Sequence, residues 1–355
     1  MLRPLFALLV LSLCHAADYP LSVTQLAPGV YATVRTEPPG FAVESNSVFI
    51  IGDDDVIVVD AQSNLPATRR TLEALRQITD KPVRYVINTH WHDDHIVGNA
   101  VYRDAFPGVS FIGHANARRY LEGPGIKARE AFHKEGMPGF RAVLQQALDK
   151  GRNLAGQAIT EEERISYLSD LQLADGYDTV PANFLPELPN LTVTDTLTLH
   201  HGAREIVVRH LGRGHTSGDL VVWLPDEGIL CAGDLVVWPV PLIGADQSHV
   251  ADWSRTISRL IALKPKAIVP GHGPVLRDTG YLLQLRALMT AATERTRAAM
   301  AYGRPLTEVH RRVNLDDFRR RFAGESPVRQ ALFRMYVESP AVTSAYNNLN
   351  LREGD

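Results

Sequence analysis

Cysteine is almost missing from this chain, with only Cys14 and Cys231 among 355 residues. Cys14 lies in a segment expected to be removed, so Cys231 has no intramolecular partner and disulfides do not hold the fold. Positive charge is not in surplus either: 37 Lys and Arg against 40 Asp and Glu give a formal net charge of -3, which offers no basic footprint for nucleic acid or an acidic membrane surface. The apolar run from Leu5 to Leu13 is far too short for a permanent bilayer span, and no longer one follows. No low-complexity tract occurs.

What the N-terminus does carry is the layout of a secretory signal peptide: Met1-Leu2-Arg3 with its positive charge, the apolar run, then the small residues of Cys14-His15-Ala16-Ala17. Cleavage after Ala16 or Ala17 is expected, giving a secreted, periplasmic protein with no integral membrane segment once residues 1–17 are gone. The remainder, at 45% hydrophobic overall, can bury one large core or two.

Short β-rich segments come first: Val30 to Val34, Ser47 to Ile51, and Val56 to Val59, the last two joined as a hairpin through the polar Gly52-Asp53-Asp54-Asp55. Leu72, Leu75 and Ile78 at helical spacing make Leu65 to Ile78 an amphipathic helix. Val83 to Ile87 is a buried strand. Helices at Gly98 to Phe106 and His114 to Leu121 flank a strand at Val109 to Ile112. From Gly123 to Pro189 the character changes to charged helical stretches, Ile126 to Lys150 and Thr160 to Leu173, with no strand pattern, which reads as a helical insertion or lid. Strands at Leu191 to Leu199, Glu205 to Leu211, Leu220 to Leu224 and Gly228 to Ala232 then precede a helix at Asp252 to Leu263 and a strand at Ala267 to Val269. From Gly280 onward the chain is helical.

The chain is organised around Thr89-His90-Trp91-His92-Asp93-Asp94-His95, directly after a buried strand. Three of its residues are His, against 13 in the whole sequence. Neutral imidazole and carboxylate suit a borderline-soft divalent ion such as zinc. His90 and His92, two apart, leave the same face of an extended backbone and can close on one ion, whereas a turn at Asp94 and His95 can serve a neighbouring position. Three further places join an apolar β run to Gly and a ligand-type residue: Gly212-Arg213-Gly214-His215, Cys231-Ala232-Gly233-Asp234, and Pro270-Gly271-His272. Glycine allows the close backbone approach that such strand-end loops need.

Together these motifs resemble the metallo-β-lactamase superfamily of binuclear metallohydrolases, over about Val23 to Leu276. The resemblance implies an α/β (α+β) fold, a four-layer αβ/βα sandwich with the site at one edge between two sheets, here with the helical insertion at about 123–189 inside a domain of residues 18–279 and a C-terminal helical region of residues 280–355. It implies that His90, His92 and His215 hold the first metal, that Asp94, His95 and His272 hold the second, that Asp234 bridges them, and that Asp60 braces the His loop. Two Zn2+ per chain are expected, with manganese or iron able to fill a site of nitrogen and oxygen ligands. Two ions about 3.5–4 Å apart hold a hydroxide and polarise a carbonyl, with Asp94 as the catalytic proton acceptor. The implied reaction is hydrolysis of a small-molecule ester, thioester or lactam. Asp234 stands where large groups of true β-lactamases have cysteine or serine, so lactam hydrolysis follows less directly than the fold. The same ligands also suit an iron-dependent oxidoreductase of sulfur compounds or a non-catalytic metal-binding module. Trp91 and the run Trp238-Pro239-Val240-Pro241-Leu242 are candidates for an apolar substrate wall, with His249 nearby.

Overall fold

A computed structural model describes residues 21–35, 40–181 and 183–353; the signal-like segment 1–17 lies outside the described residues. Two sheets face one another. The first has seven strands in sequence order, β1 (Leu21–Ala27), β2 (Val30–Arg35), β3 (Ser47–Ile51), β4 (Val56–Val59), β5 (Val83–Ile87), β6 (Ser110–His114) and β7 (Leu191–Val193). Pairing is antiparallel up to β4 and parallel beyond it. The second sheet contains β8 (Thr196–His201), β9 (Arg204–Arg209), β10 (Val221–Leu224), β11 (Ile229–Val237) and β12 (Ala267–His272), with β11 and β12 parallel.

The apolar runs are continuous because both faces of the inner strands are covered. On β4, Ile57 and Val59 point into the core between the sheets with Val208 and Val222, whereas Val56 and Val58 point outward to Leu72, Leu75 and Tyr102. On β11, Ile229 and Cys231 face the first sheet, and Leu230 and Ala232 face Trp253 and Leu285. Helices Leu65–Arg76 and Asn99–Ala105 thus form one outer layer. Helix Val250–Ala262 forms the other, and the C-terminal helices Gly280–Met300 and Ser339–Glu353 share its core. This is the expected four-layer αβ/βα sandwich with a C-terminal helical extension.

One expected strand divides. Leu191 to Leu199 is two strands, because the chain leaves β6 after Val193 and crosses to pair β8 with β9 in the opposite sheet. Strand β1 has no counterpart among the expected strands; its residues are half-buried or exposed, so it lacks the apolar run that marks the inner strands. Cys231 is buried and unpaired. The insertion consists of helices Pro124–Ala131, Met137–Lys150 and Glu161–Tyr177, the first two joined through a π-turn at Phe132–Gly136. Thr160 and Glu163 form a capping box at the start of the third.

Candidate metal centre

Every expected ligand sits at one edge of the two sheets. His90 and His92 follow β5, and Asp94 and His95 lie on the short helical turn Asp93–Ile96. His215 lies in the loop between β9 and β10, Asp234 is inside β11, and His272 ends β12. The edge is clamped from both sides. Leu220 N donates to Thr89 O at 2.8 Å, and Asn46 Nδ2 donates to Pro270 O and Gly273 O at 2.9 and 2.8 Å. Gly271 permits a close approach, since a Cβ there would lie 1.8 Å from Asp234 Oδ1. Gly233, at φ +51°, faces Thr89 with little more room, a Cβ falling 2.5 Å from Thr89 Oγ1.

The side chains separate into two groups, His90 with His92 and His215, and Asp94 with His95, Asp234 and His272. In the first, His92 Nδ1 lies 3.1 Å from His90 Nε2 and 2.8 Å from His215 Nε2. In the second, Asp94 Oδ2 lies 3.3 Å from His95 Nε2 and 3.0 Å from His272 Nε2. Asp234 faces both. Its Oδ2 is 3.5 Å from His215 Nε2 and 4.0 Å from His90 Nε2, while its Oδ1 is 3.2 and 3.3 Å from His95 Nε2 and His272 Nε2.

The outer ring nitrogens fix which inner one is available. His95 Nδ1 is 2.9 Å from Asp60 Oδ2, His215 Nδ1 donates to Leu242 O at 2.8 Å, and His272 Nδ1 donates to Glu44 O at 3.0 Å. His92 is turned the other way. Its Nε2 meets Gln247 Oε1 at 3.0 Å, leaving Nδ1 for the site. Asp60 also accepts from Thr89 N and Thr89 Oγ1, both at 2.8 Å, so it holds the loop and the His95 ring at once.

A divalent ion fits this arrangement. His95 Nε2, His272 Nε2 and Asp234 Oδ1 are buried and converge without hydrogen-bonding one another, a situation that a shared cation resolves. Burial pushes the His90 and His215 imidazoles down, the latter to about 4, so these two rings favour the neutral form that a ligand needs. In the other group burial opposes charge, but it is outweighed. The Asp60, Asp94 and Asp234 carboxylates raise His95, Asp234 and Asp94 raise His272 to about 10, and the histidines in turn hold Asp94 and Asp234 well below the usual carboxylate range. Positive charge is wanted there, and a metal supplies it.

The surroundings divide the expected wall in two. Trp91 stacks on Tyr120 with ring centroids 4.7 Å apart, and both line a cavity of about 280 Å3 beside His92. Trp238, Pro239, Val240 and Leu242 line a smaller one of about 90 Å3 beside His272, Val240 also packing into the core. His249 stands one step away, its backbone N–H bonded to Gly214 O as helix Val250–Ala262 begins. Four participants carried no motif. Glu44 and Gln247 steady ligand histidines, while Arg129 and Tyr177 reach from the insertion to pair with Asp93. The polar loop Gly244-Ala245-Asp246-Gln247 after an apolar strand was the one available signal for Gln247.

An αβ/βα sandwich with a buried His and Asp centre at the sheet edge defines a metal-binding protein of the metallohydrolase type. The chain belongs to the metallo-beta-lactamase superfamily, whose sequence model matches residues 40–272. It is 26% identical over 276 residues to the metallo-beta-lactamase type 2 of Bacillus cereus, covering 76% of this chain and 82% of that one. It is 23% identical over 239 residues to a linear primary-alkylsulfatase of a Pseudomonas species, covering 62% of this chain and 40% of the relative. Among solved structures, a metallo-beta-lactamase family protein from Thermus thermophilus aligns with a TM-score of 0.56 at 21% identity, over 93% of this chain and 95% of that one. Among the described residues no helix is long and apolar enough to cross a membrane.

Proposed function

We propose that this protein is a secreted, periplasmic, binuclear zinc-dependent hydrolase that attacks the carbonyl of a small-molecule ester, thioester or lactam. One observation carries the reading: Asp234 turns one carboxylate oxygen toward each of two complete ligand groups, the arrangement expected of a bridge between two ions. His90 Nε2, His92 Nδ1 and His215 Nε2 would hold the first, and Asp94, His95 Nε2 and His272 Nε2 the second. Zinc is favoured by the imidazole-rich ligand set. When bound, such ions supply a water activated near neutral pH and a Lewis acid for the carbonyl.

The chain's own residues do the rest. Asp94 orients the attacking water, takes its proton, and returns it to the departing oxygen, sulfur or nitrogen, so no protein nucleophile is required. Trp91 and Tyr120 present an apolar wall on the His92 side. Lactams come into consideration through the lactamase relatives, and export through the Met1 to Ala17 pattern. Elemental analysis of protein purified at neutral pH with zinc supplied should give two ions per chain, and a panel of esters, thioesters, lactams and alkyl sulfates should include a carbonyl substrate. One ion or none, or turnover confined to sulfates, would overturn the reading. An iron spectrum in protein purified without added metal would favour the sulfur oxidoreductase instead.

A further inference from the structure

The cavity beside His92 contains a charged group that the hydrolytic reading leaves without a task. Its walls are largely apolar, with Trp91 stacked on Tyr120, then Leu121, Ile126, Phe132 and Leu185. His92, Asp93 and Gln247 supply polar lining. Arg129, from the first helix of the insertion, lines it while being only 6% exposed. A buried guanidinium is costly unless its donors are used. Nη2 pairs with Asp93 Oδ1, but Nη1 is buried with no hydrogen-bond partner.

The neighbouring polar groups do not absorb that donor. Asp93 already takes Arg129 on one oxygen and the Tyr177 hydroxyl, at 2.8 Å, on the other. Gln247 Oε1 accepts from Trp91 Nε1 at 3.1 Å and meets His92 Nε2, while its Nε2 donates to Tyr120 Oη at 3.3 Å. The Arg129 guanidinium also lies over the Phe184 ring, 5.9 Å from its centroid, which engages the face of the cation but not its in-plane Nη1 donor. The missing partner is therefore an acceptor, and an anionic oxygen is the stronger one.

We propose that this cavity is the subsite for the non-reacting arm of the substrate, and that Arg129 Nη1 binds a carboxylate at the end of that arm, with Trp91 and Tyr120 against its apolar or aromatic body. The proposal rests on the hydrolase reading for what lies at the arm's other end, but its own test requires no turnover. The full-length, zinc-loaded protein is titrated calorimetrically with 3-phenylpropanoate and with its neutral counterpart 3-phenylpropanamide, in wild type, Arg129→Met and Arg129→Lys. The wild type should bind the acid about tenfold more tightly than the amide, as a charge-assisted bond at a buried site gives. Arg129→Met should remove that preference and leave amide binding unchanged, and Arg129→Lys should keep a part of it. An acid preference that survives in Arg129→Met would place the carboxylate on the metals and sink the proposal. Parallel weakening of both probes would reduce Arg129 to a structural role and sink it equally. Should Arg129→Met fail to fold, Arg129→Lys decides, with an unchanged preference counting against the subsite. Failure of the hydrolase reading would show instead as an absence of turnover with the binding preference intact.

Discussion

Asp60 and Asp94 meet the His95 ring at its two different nitrogens, and the side of the ring each one occupies decides its work. Asp94 Oδ2 touches two ligand histidines, which places this carboxylate to handle a proton at the site. Asp94→Ala should lower kcat by about 10²–10⁴-fold, typical of general acid–base groups, while the ion held by His90, His92 and His215 remains. Wild-type turnover in that variant would rule out the proposed role. Asp60 never reaches the centre. It holds the His95 ring through Nδ1 and the loop through Thr89, so Asp60→Ala should weaken metal affinity by about 10–100-fold with kcat at saturating zinc much less affected. Competition with a chromophoric chelator measures the first and steady-state kinetics the second. Asp60 was legible as a strand-end acid, and the seven candidate ligands that the fold gathers at one edge could be named from motif order. Gln247 and Glu44 were not, because a side-chain amide and a backbone carbonyl that steady a histidine leave no pattern along the chain.

At the scale of elements, legibility followed burial. Inner strands β3 and β4 show themselves as nearly continuous apolar runs because a layer covers each face, whereas half-exposed β1 has no such mark. Strand β12 runs past Val269 to His272, although Pro270-Gly271 has the composition of a turn; in the fold this is the place where backbone runs against Asp234. Gly271→Ala should therefore displace Asp234, costing about 1–3 kcal/mol as an overpacked site and one bound ion, with far-UV circular dichroism retained. Full metal content in that variant would contradict the bridging role. The third insertion helix is tied to the loop before β3 by Asp170, whose carboxylate accepts from Phe41 N and Ala42 N at 3.0 Å each. Burial nonetheless pushes Asp170 up to about 6. The folded chain thus holds this proton more tightly than the unfolded one, so the group's contribution is complete below its ordinary range and is lost as pH rises through about 6, by on the order of 3 kcal/mol. Urea denaturation at pH 4.5 and 7.5 should show a fall with pH in wild type that Asp170→Asn lacks; identical pH slopes would refute it.

For the molecule as a whole, the sandwich was readable because its motifs recur at strand ends in fixed order, and the insertion was readable only as a break in that order. Nothing along Gly123 to Pro189 states where its helices go; the contacts that decide this join residues far apart in the chain, Arg129 and Tyr177 to Asp93, and Asp170 to Phe41 and Ala42. Its helices line both the cavity beside His92 and another of about 180 Å3 that includes Asp94, Phe132, Met137 and Tyr177. Elements so placed can exclude water and select substrates. The far end of the segment returns beside the chain that leads into it, since Arg118 Nη1 donates to Pro189 O at 2.6 Å and Asn190 N to Phe111 O at 2.9 Å, so a short linker can replace the segment without parting β6 from β7. Such a deletion should keep two-metal binding largely intact, because every ligand and each of its hydrogen-bonding supports lies outside the segment. It should also level kcat/KM among substrates of different size. The rival is an oligomer contact, for which the helices carry exposed Val143, Ile165 and Leu168. Solution mass and a substrate series on the same variant separate the two: a deletion that turns a dimer into a monomer and leaves the size preference as it was would remove the lid from this account.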